Sequence, residues 1–134
     1  MRAAYLFAHL FESQESSMKP SEGHVTHIEF PAPSRESLHA ARAFDGQAFG
    51  WIYQPWGDDD CMDTAGSGIG SGMICDHLPC KPLAVIYTAD LEAACVKVRQ
   101  AGGAITQEIF AFPGGRRFHF TDPAGNELAV WSDK

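Results

Sequence analysis

The strongest constraint on the fold is that the chain repeats its own pattern at an offset of about 56 residues. That offset superimposes three positions of the first half on three of the second, namely His27 on Leu83, Ser34 on Asp90 and Gly46 on Gly102. Such a repeat indicates one supersecondary unit that occurs twice. Because a single unit leaves one sheet face open, we expect the two copies to pair their sheets and enclose a cleft.

The first half reads as strand, helix and further strands. Residues 24–30 alternate between polar and apolar side chains, which places His27 and Glu29 on one face of a strand. Ser34 predicts the N-cap of a helix that ends at Asp45-Gly46. Residues 49–54 predict a second strand, and the glycine-studded residues 66–73 predict a strand or hairpin.

The second half repeats this order. Residues 83–87 predict a strand, and Asp90 predicts the N-cap of a helix whose apolar stripe, which includes Cys95, closes at Gly102-Gly103. Residues 116–121 and 127–131 predict two strands that flank the turn Asp122-Pro123-Ala124-Gly125-Asn126. Each half therefore reads βαβββ.

Composition narrows the class of protein. Ten Lys and Arg against 17 Asp and Glu give 134 residues a formal net charge of −7, which excludes a nucleic-acid partner on electrostatic grounds. The apolar stretch Ala3 to Leu10 is too short to span a membrane, and no cleavage site follows it. We expect no membrane partner, a cytoplasmic location, and free thiols at the four cysteines.

Three segments and the repeat together resemble the vicinal oxygen chelate superfamily, which contains glyoxalases, bleomycin resistance proteins and extradiol dioxygenases. The segments are His27-Ile28-Glu29-Phe30, Ala48-Phe49-Gly50-Trp51 and residues 118–126. The resemblance covers about residues 24–132 and implies an α+β fold with two βαβββ modules in one chain, whose curved mixed sheets enclose a cleft. Residues 1–22 are then an N-terminal extension, and residues 23–134 form a single domain. Within it, module one spans 23–75, the linker 76–82, and module two 83–132.

The resemblance also implies four cavity-facing positions that hold a divalent ion in catalytic relatives. In this sequence they are His27, a residue near Met73, Leu83 and Ala129, and only His27 has a ligand side chain. We therefore expect no metal and no cofactor.

Two other donor sets leave alternatives open. His27, Glu29 and Glu127 could form a displaced metal site, although Glu29 pairing with an arginine is the more ordinary interpretation. The spacing of Cys75, His77 and Cys80 fits no standard zinc pattern, and a linker with half-buried cysteines explains it as well.

Aromatic residues on the strands suggest a small-molecule pocket, although ordinary core packing explains each of them equally well. The candidate ligand-binding residues combine aromatic and polar side chains: His27, Glu29, Trp51, Tyr87, Arg117, Phe118 and Trp131. Arg116 and Arg117 are expected near the cleft entrance, where either could attract an anionic ligand.

These observations favour a metal-free protein that sequesters a planar or partly aromatic ligand. One alternative is a metal-dependent lyase or dioxygenase with displaced ligands around His27. Another is a structural or partner-binding module, which a cleft filled by its own side chains would favour. The resemblance and the apolar residues 3–11 also predict a homodimer.

Overall fold

The computed structural model describes residues 20–55, 61–75, 81–112 and 114–134. Within these ranges the chain forms eight strands and two helices, in the order β1 (Val25–Pro31), α1 (Arg35–Phe49), β2 (Ile52–Pro55), β3 (Cys61–Ala65), β4 (Gly70–Ile74), β5 (Leu83–Tyr87), α2 (Leu91–Gln100), β6 (Ala104–Phe112), β7 (Gly115–Thr121) and β8 (Glu127–Ser132). The α+β fold with two βαβββ modules is confirmed. Neither helix in the described ranges is long and apolar enough to cross a membrane.

The eight strands form one mixed sheet in the order β2-β3-β4-β1-β5-β8-β7-β6. This order has the same pattern on either side of its centre, because β5 to β8 of module two mirror β1 to β4 of module one. Each module has one parallel pair, β1 with β4 and β5 with β8, and the antiparallel pair β1 with β5 joins the modules. The internal repeat of the sequence therefore appears as a two-fold pattern in the sheet.

The first helix is longer than the sequence predicts. Gly46 lies inside α1, and the helix ends only at Phe49, where Gly50 takes a left-handed conformation with φ of 73° and donates its N–H to the Gly46 carbonyl. Gly50 rather than Gly46 supplies the positive φ that terminates helices of this kind. The following strand therefore begins at Ile52 instead of residue 49.

The second module follows the predicted pattern more closely. Strand β5 covers residues 83–87 as expected, and the Asp90 carboxylate accepts the N–H of Ala93 to start α2. The turn before β8 is held by Asp122, whose carboxylate accepts the backbone N–H groups of Ala124 and Asn126 and the Asn126 side-chain amide. The hydrogen bond from the Asn126 side chain contributes most to lowering the pKa of Asp122, and the backbone hydrogen bonds lower it further. Strand β6 completes module two, although the sequence analysis predicts no strand there.

Both helices cover the same face of the sheet, called here the helix face. Leu38 of α1 packs with Phe30, Tyr53 and Met73, and Leu91 of α2 packs in a second cluster on the same side of the sheet. That cluster also contains Cys95, Phe118 and Val130. Apolar side chains that alternate along the strands are buried against the helices in this way.

The opposite face, called here the inner face, carries the alternate residues of the central strands. Its side chains are buried and include four charged or imidazole groups from the two modules: His27, Glu29, Leu83, Val85, Tyr87, Arg117, His119, Ala129 and Trp131. Glu29 on β1 and Arg117 on β7 are in contact, although β5 and β8 lie between their strands. Strands three places apart in a flat sheet are about 14 Å apart. The sheet therefore curves towards this face.

Candidate functional site

The strand register sets the positions of the polar groups on the inner face. His27 of β1 lies beside Val85 of β5, which lies beside Ala129 of β8 and then His119 of β7. Glu29 lies beside Leu83 one row further along. Paired residues of neighbouring strands point to the same side of a sheet, so one row crosses from module one to module two. Small or apolar residues occupy its middle, and polar groups occupy its ends.

The central polar contact is an ion pair between Glu29 and Arg117. Nη1 of Arg117 donates to Oε2 of Glu29 over 2.9 Å, and Nη2 donates to Oε1 over 3.2 Å. Both side chains are buried, at 0 and 1% exposure. A bidentate pair of this kind fixes the plane of the guanidinium as well as its position. It links module one to module two across β5 and β8.

His119 supports this ion pair from β7. The Nε–H of Arg117 donates to Nε2 of His119 over 3.2 Å, and Nη2 lies 3.0 Å from the same nitrogen. Because a guanidinium only donates hydrogen bonds, Nε2 is the acceptor and the imidazole is neutral. Phe110 of β6 lies against both groups, with its ring centre 5.8 Å from the His119 ring and 5.9 Å from the Arg117 guanidinium carbon.

An aromatic cluster built around Trp131 forms the other part of the inner face. The indole lies edge-on to Tyr87 at 5.1 Å and contacts Phe112 and His27, each at 6.5 Å between ring centres. The Trp131 Nε1–H donates to the hydroxyl of Thr26 over 3.0 Å, and that hydroxyl lies 3.1 Å from Nδ1 of His27. Edge-to-face geometry and a satisfied indole N–H are typical of well-packed tryptophans.

Burial changes the acid–base properties of two residues on this face. It lowers the pKa of His27 to about 3, with the Arg117 charge lowering it further and Glu29 opposing the shift. Burial also raises the pKa of Tyr87 to about 12, helped by the hydrogen bond that its hydroxyl donates to Asp133 over 2.8 Å. At neutral pH both rings are therefore uncharged.

Arg117 does not lie at the cleft entrance, where the sequence places it. It is buried in the inner face, because alternation along β7 turns residues 117 and 119 inwards. Arg116 turns away and forms an ion pair with Glu92 of α2, in which both side chains are partly exposed. The expectation that Glu29 pairs with an arginine is confirmed, and its partner is Arg117.

Two of the candidate aromatic residues lie on the helix face instead. Phe118 packs against Leu91 and Cys95 under α2, since it alternates with the inward-facing neighbours on β7. Trp51 packs with the cluster under α1, and its ring centre lies 5.8 Å from that of Phe49. This placement arises because α1 continues past residue 46, which leaves Trp51 in the short connection to β2. The structure thus separates these two residues from His27, Glu29, Tyr87, Arg117 and Trp131.

The residues at the four metal positions do not fit a metal. Met73 pairs with Phe30 and packs on the helix face, so Gly72, which pairs with Glu29, takes the inner position on β4. Leu83 and Ala129 do face inwards, and neither has a donor atom. Within the described ranges, no three His, Cys, Asp or Glu side chains are placed to hold a metal ion. A glycine, a leucine and an alanine beside one imidazole supply too few ligands for a divalent ion.

The displaced metal set is also engaged elsewhere. Both oxygens of Glu29 bind Arg117, and Glu127 accepts a hydrogen bond from the Thr106 hydroxyl over 2.9 Å. Of the cysteine and histidine group in the linker, Cys75 is half-buried and packs on the helix face. Residues 76–80, which include His77 and Cys80, lie outside the described residues.

Sequence reasoning missed His119 and Thr26. The signal for His119 was available, since alternation from Arg117 places it on the same face two residues later. Thr26 gave no such signal, because the strand register shifts between Val25 and His27 and brings the Thr26 hydroxyl to Trp131. A bulge of this kind turns a side chain away from the simple alternation.

The comparisons with known proteins agree with this architecture. The glyoxalase/bleomycin resistance protein/dioxygenase superfamily model matches residues 10–130. No curated protein matches the sequence.

Among solved structures, the chain is similar to a superfamily member from Vibrio splendidus 12B01, with 11% identity, a TM-score of 0.63, and coverage of 78% of this chain and 95% of that one. It is also similar to methylmalonyl-CoA epimerase from Mycobacterium tuberculosis, with 16% identity, a TM-score of 0.56, and coverage of 88% and 94%. The Mn(II)-bound glyoxalase from Novosphingobium aromaticivorans gives 18% identity and a TM-score of 0.59, over 84% of this chain and 39% of that one. At these identities the likeness shows the fold alone. With the family match over most of its length, the chain belongs to the glyoxalase/bleomycin resistance protein/dioxygenase superfamily.

Proposed function

We propose that this protein binds a planar or partly aromatic small molecule on its inner face, without a metal, and sequesters it rather than converting it. The observation that carries the proposal is the placement of Trp131, which contacts His27, Tyr87 and Phe112 beside the Glu29–Arg117 ion pair. Aromatic walls with a few fixed polar groups are the usual composition of small-molecule sites.

The donor chemistry supports the metal-free part of the proposal. The Novosphingobium structure is that of a Mn(II)-bound glyoxalase. In this chain, glycine, leucine and alanine occupy three of the four positions that the family resemblance implies for a metal, and Glu29 is held by Arg117. The inner face therefore offers stacking surface and hydrogen-bonding groups in place of a charged Lewis acid. The cytoplasmic location and the homodimer remain proposals of the same kind.

A binding screen with two matched tryptophan variants tests the proposal. Planar aromatic compounds should raise the melting temperature and quench tryptophan fluorescence. Trp131→Phe should weaken binding at least about threefold, since it removes indole stacking area from the inner face. Trp51→Phe is the matched control, because Trp51 lies on the helix face, and binding should be unchanged. Equal effects of the two variants, or no binding of any planar compound, would contradict the proposal.

The low exposure of the inner face favours a second candidate, a structural or partner-binding module. Tyr87 and Phe112 are the most exposed members of the cluster around Trp131, at 8% each. In that case the aromatic cluster serves as core, and Trp131→Phe would change stability without any ligand being bound. Chemical shifts of inner-face residues on addition of a planar compound distinguish the two candidates, since a packed core gives no local response.

A further inference from the structure

A cavity lies away from the inner face, between α1 and the edge strand β2. Its volume is about 370 Å³, which is within the range of small-molecule sites. One wall is a stripe of α1 side chains, and the other is formed by the residue before β2 and the start of that strand. The lining residues are His39, Arg42, Ala43, Gly46, Gln47, Trp51, Ile52 and Tyr53. They share no residue with the inner face, so this cavity is separate from the site proposed above.

The stripe on α1 gives the cavity its length. Its residues recur at intervals of three and four positions, so they follow one side of the helix from His39 to Gln47. At a rise of 1.5 Å per residue this stripe is about 12 Å long, close to the length of an extended medium-length alkyl chain. A cavity that runs along a helix suits an extended chain better than a disc-shaped molecule.

The middle of the cavity offers apolar surface. Ala43 has only a methyl group and Gly46 has no side chain, so space remains beside the helix at both positions. Trp51 is half-buried, and Ile52 exposes 61% of its surface. A hydrocarbon chain lying against these residues would remove apolar area from water, both its own and that of Ile52.

The same stripe carries a guanidinium that is available to a ligand. Arg42 is exposed, and among the residues that the structure describes its side chain forms no ion pair or hydrogen bond. Asp45, one turn further along α1, is not part of the lining, and its Oδ2 accepts the Tyr53 hydroxyl over 2.5 Å. His39 and Gln47 add hydrogen-bonding groups at the two ends of the stripe. A guanidinium matches the two oxygens of a carboxylate.

We infer that this cavity is a second binding site, which takes a medium-chain aliphatic carboxylate. The alkyl chain lies along α1 beside Ile52, and the carboxylate binds Arg42. An exposed ion pair contributes little by itself, so the affinity depends on the chain as well as on the charge. The inference goes beyond the proposed function and does not depend on it, because the two sites have no residue in common.

Chemical-shift titrations of the full-length protein at pH 7 with octanoate, hexanoate and octylammonium test the inference. Octanoate should shift the backbone amides of residues 42–47 and 51–53. It should bind at least about threefold more tightly than hexanoate, because two further methylene groups leave water. Octylammonium has the same chain length without the anionic group and should bind at least about threefold more weakly than octanoate.

Three wild-type results would each overturn the inference: no octanoate-dependent shifts, octanoate shifts confined to inner-face amides, or equal affinities for the three probes. The proposed function would stand in each case, because it is tested with planar aromatic compounds and with Trp131 on the inner face.

Two variants on α1 test the roles of charge and position. Arg42→Gln should lower the octanoate affinity at least about threefold without weakening octylammonium binding. Arg99→Gln is the matched control, since it removes an exposed arginine from α2, and the octanoate affinity should be unchanged. Ala43→Glu adds a carboxylate to the wall of the cavity and should make octylammonium the tighter ligand of the two.

Arg42 and Ala43 are both exposed, and circular dichroism confirms that each variant is folded before titration. Equal octanoate affinities of Arg42→Gln and Arg99→Gln would overturn the inference. If Arg42→Gln does not fold, Ala43→Glu still decides, because an unchanged preference for octanoate in that variant would place the ligand elsewhere.

Discussion

The indole N–H of Trp131 on β8 donates to the hydroxyl of Thr26 on β1 over 3.0 Å, although β5 lies between these strands. The contact reaches from one module to the other and depends on the register shift beside Thr26. Thr26→Val should therefore destabilise the protein by about 1 kcal/mol, the net value of a typical hydrogen bond. Urea unfolding measures the change, and Thr26→Ser, which keeps the hydroxyl, is the control. Equal stability of the two variants would argue against a role for the hydrogen bond.

The ion pair between Glu29 and Arg117 should make removal of one partner costly. Glu29→Gln leaves a buried guanidinium without its carboxylate and should lower the free energy of unfolding by about 3–5 kcal/mol. Replacing both partners by apolar residues, as Glu29→Leu with Arg117→Met, should cost less, because no buried charge is left over. The exposed pair of Arg116 and Glu92 is the comparison, and Glu92→Gln should change stability by less than about 1 kcal/mol. A double variant as unstable as the single one would contradict this account.

His27 should make the protein less stable in acid. Its pKa in the folded chain is lowered to about 3 from 6.5, so below pH 6.5 the unfolded chain binds a proton that the folded chain does not. The contribution of His27 to the free energy of unfolding is fully present above about pH 6.5. It is lost as the pH falls towards 3, by up to about 1.4 kcal/mol per pH unit. Glu29 and Arg117 are the charged groups that act on this imidazole.

Unfolding free energies of wild type and His27→Gln at pH 7 and pH 4.5 check this dependence. The glutamine variant lacks the titrating group and should lose less stability between the two values. Identical losses in the two proteins would show that His27 titrates in the folded chain as it does in the unfolded one.

Divalent metals should not stabilise the protein. Addition of Ni²⁺, Zn²⁺ or Mn²⁺ should change the melting temperature by less than about 1 °C, because tight binding to the folded state would raise it. Leu83→His with Ala129→Glu adds two donor residues on the inner face near His27 and serves as the comparison, for which a metal-dependent rise is expected. Metal analysis that finds about one ion per wild-type chain, lost in His27→Ala, would disprove this prediction.

The homodimer expected from the sequence remains a prediction. Residues 3–11, on which it partly rests, lie outside the described residues, while the described surface exposes Phe44 and Phe49 by 63 and 64%. Exposed apolar side chains in contact, with ring centres 6.2 Å apart, are typical of association surfaces. Light scattering should give twice the chain mass of 14.6 kDa, and deletion of residues 1–17 should weaken the dimer. A full-length monomer at micromolar concentration would contradict it.

The sequence predicts the architecture well because the fold repeats and the strands alternate. The offset that superimposes His27 on Leu83 indicates paired modules, and alternation assigns His27 and Glu29 to one face of β1. The glycine that ends α1 was misassigned, since Gly46 and Gly50 are equally plausible stops until the backbone angles are known.

The candidate site is less predictable for a different reason. Alternation gives the face of Arg117 but not the curvature that brings it to Glu29, 88 residues away along the chain. The same limitation affects Trp51, whose side of the sheet depends on where α1 ends. Contacts across several strands depend on the curvature of the whole sheet, which local patterns do not specify.

The two-fold pattern of the backbone is not shared by the side chains of the inner face. The repeat places Val85 at the position equivalent to Glu29, and Cys61 at the position equivalent to Arg117. Glu29 and Arg117 therefore each occupy a position whose counterpart in the other module has a different residue type, so the face has a direction that the strand order lacks. A molecule lying on it meets different side chains when it is turned end for end. Even a nearly symmetrical ligand should consequently bind in a single orientation.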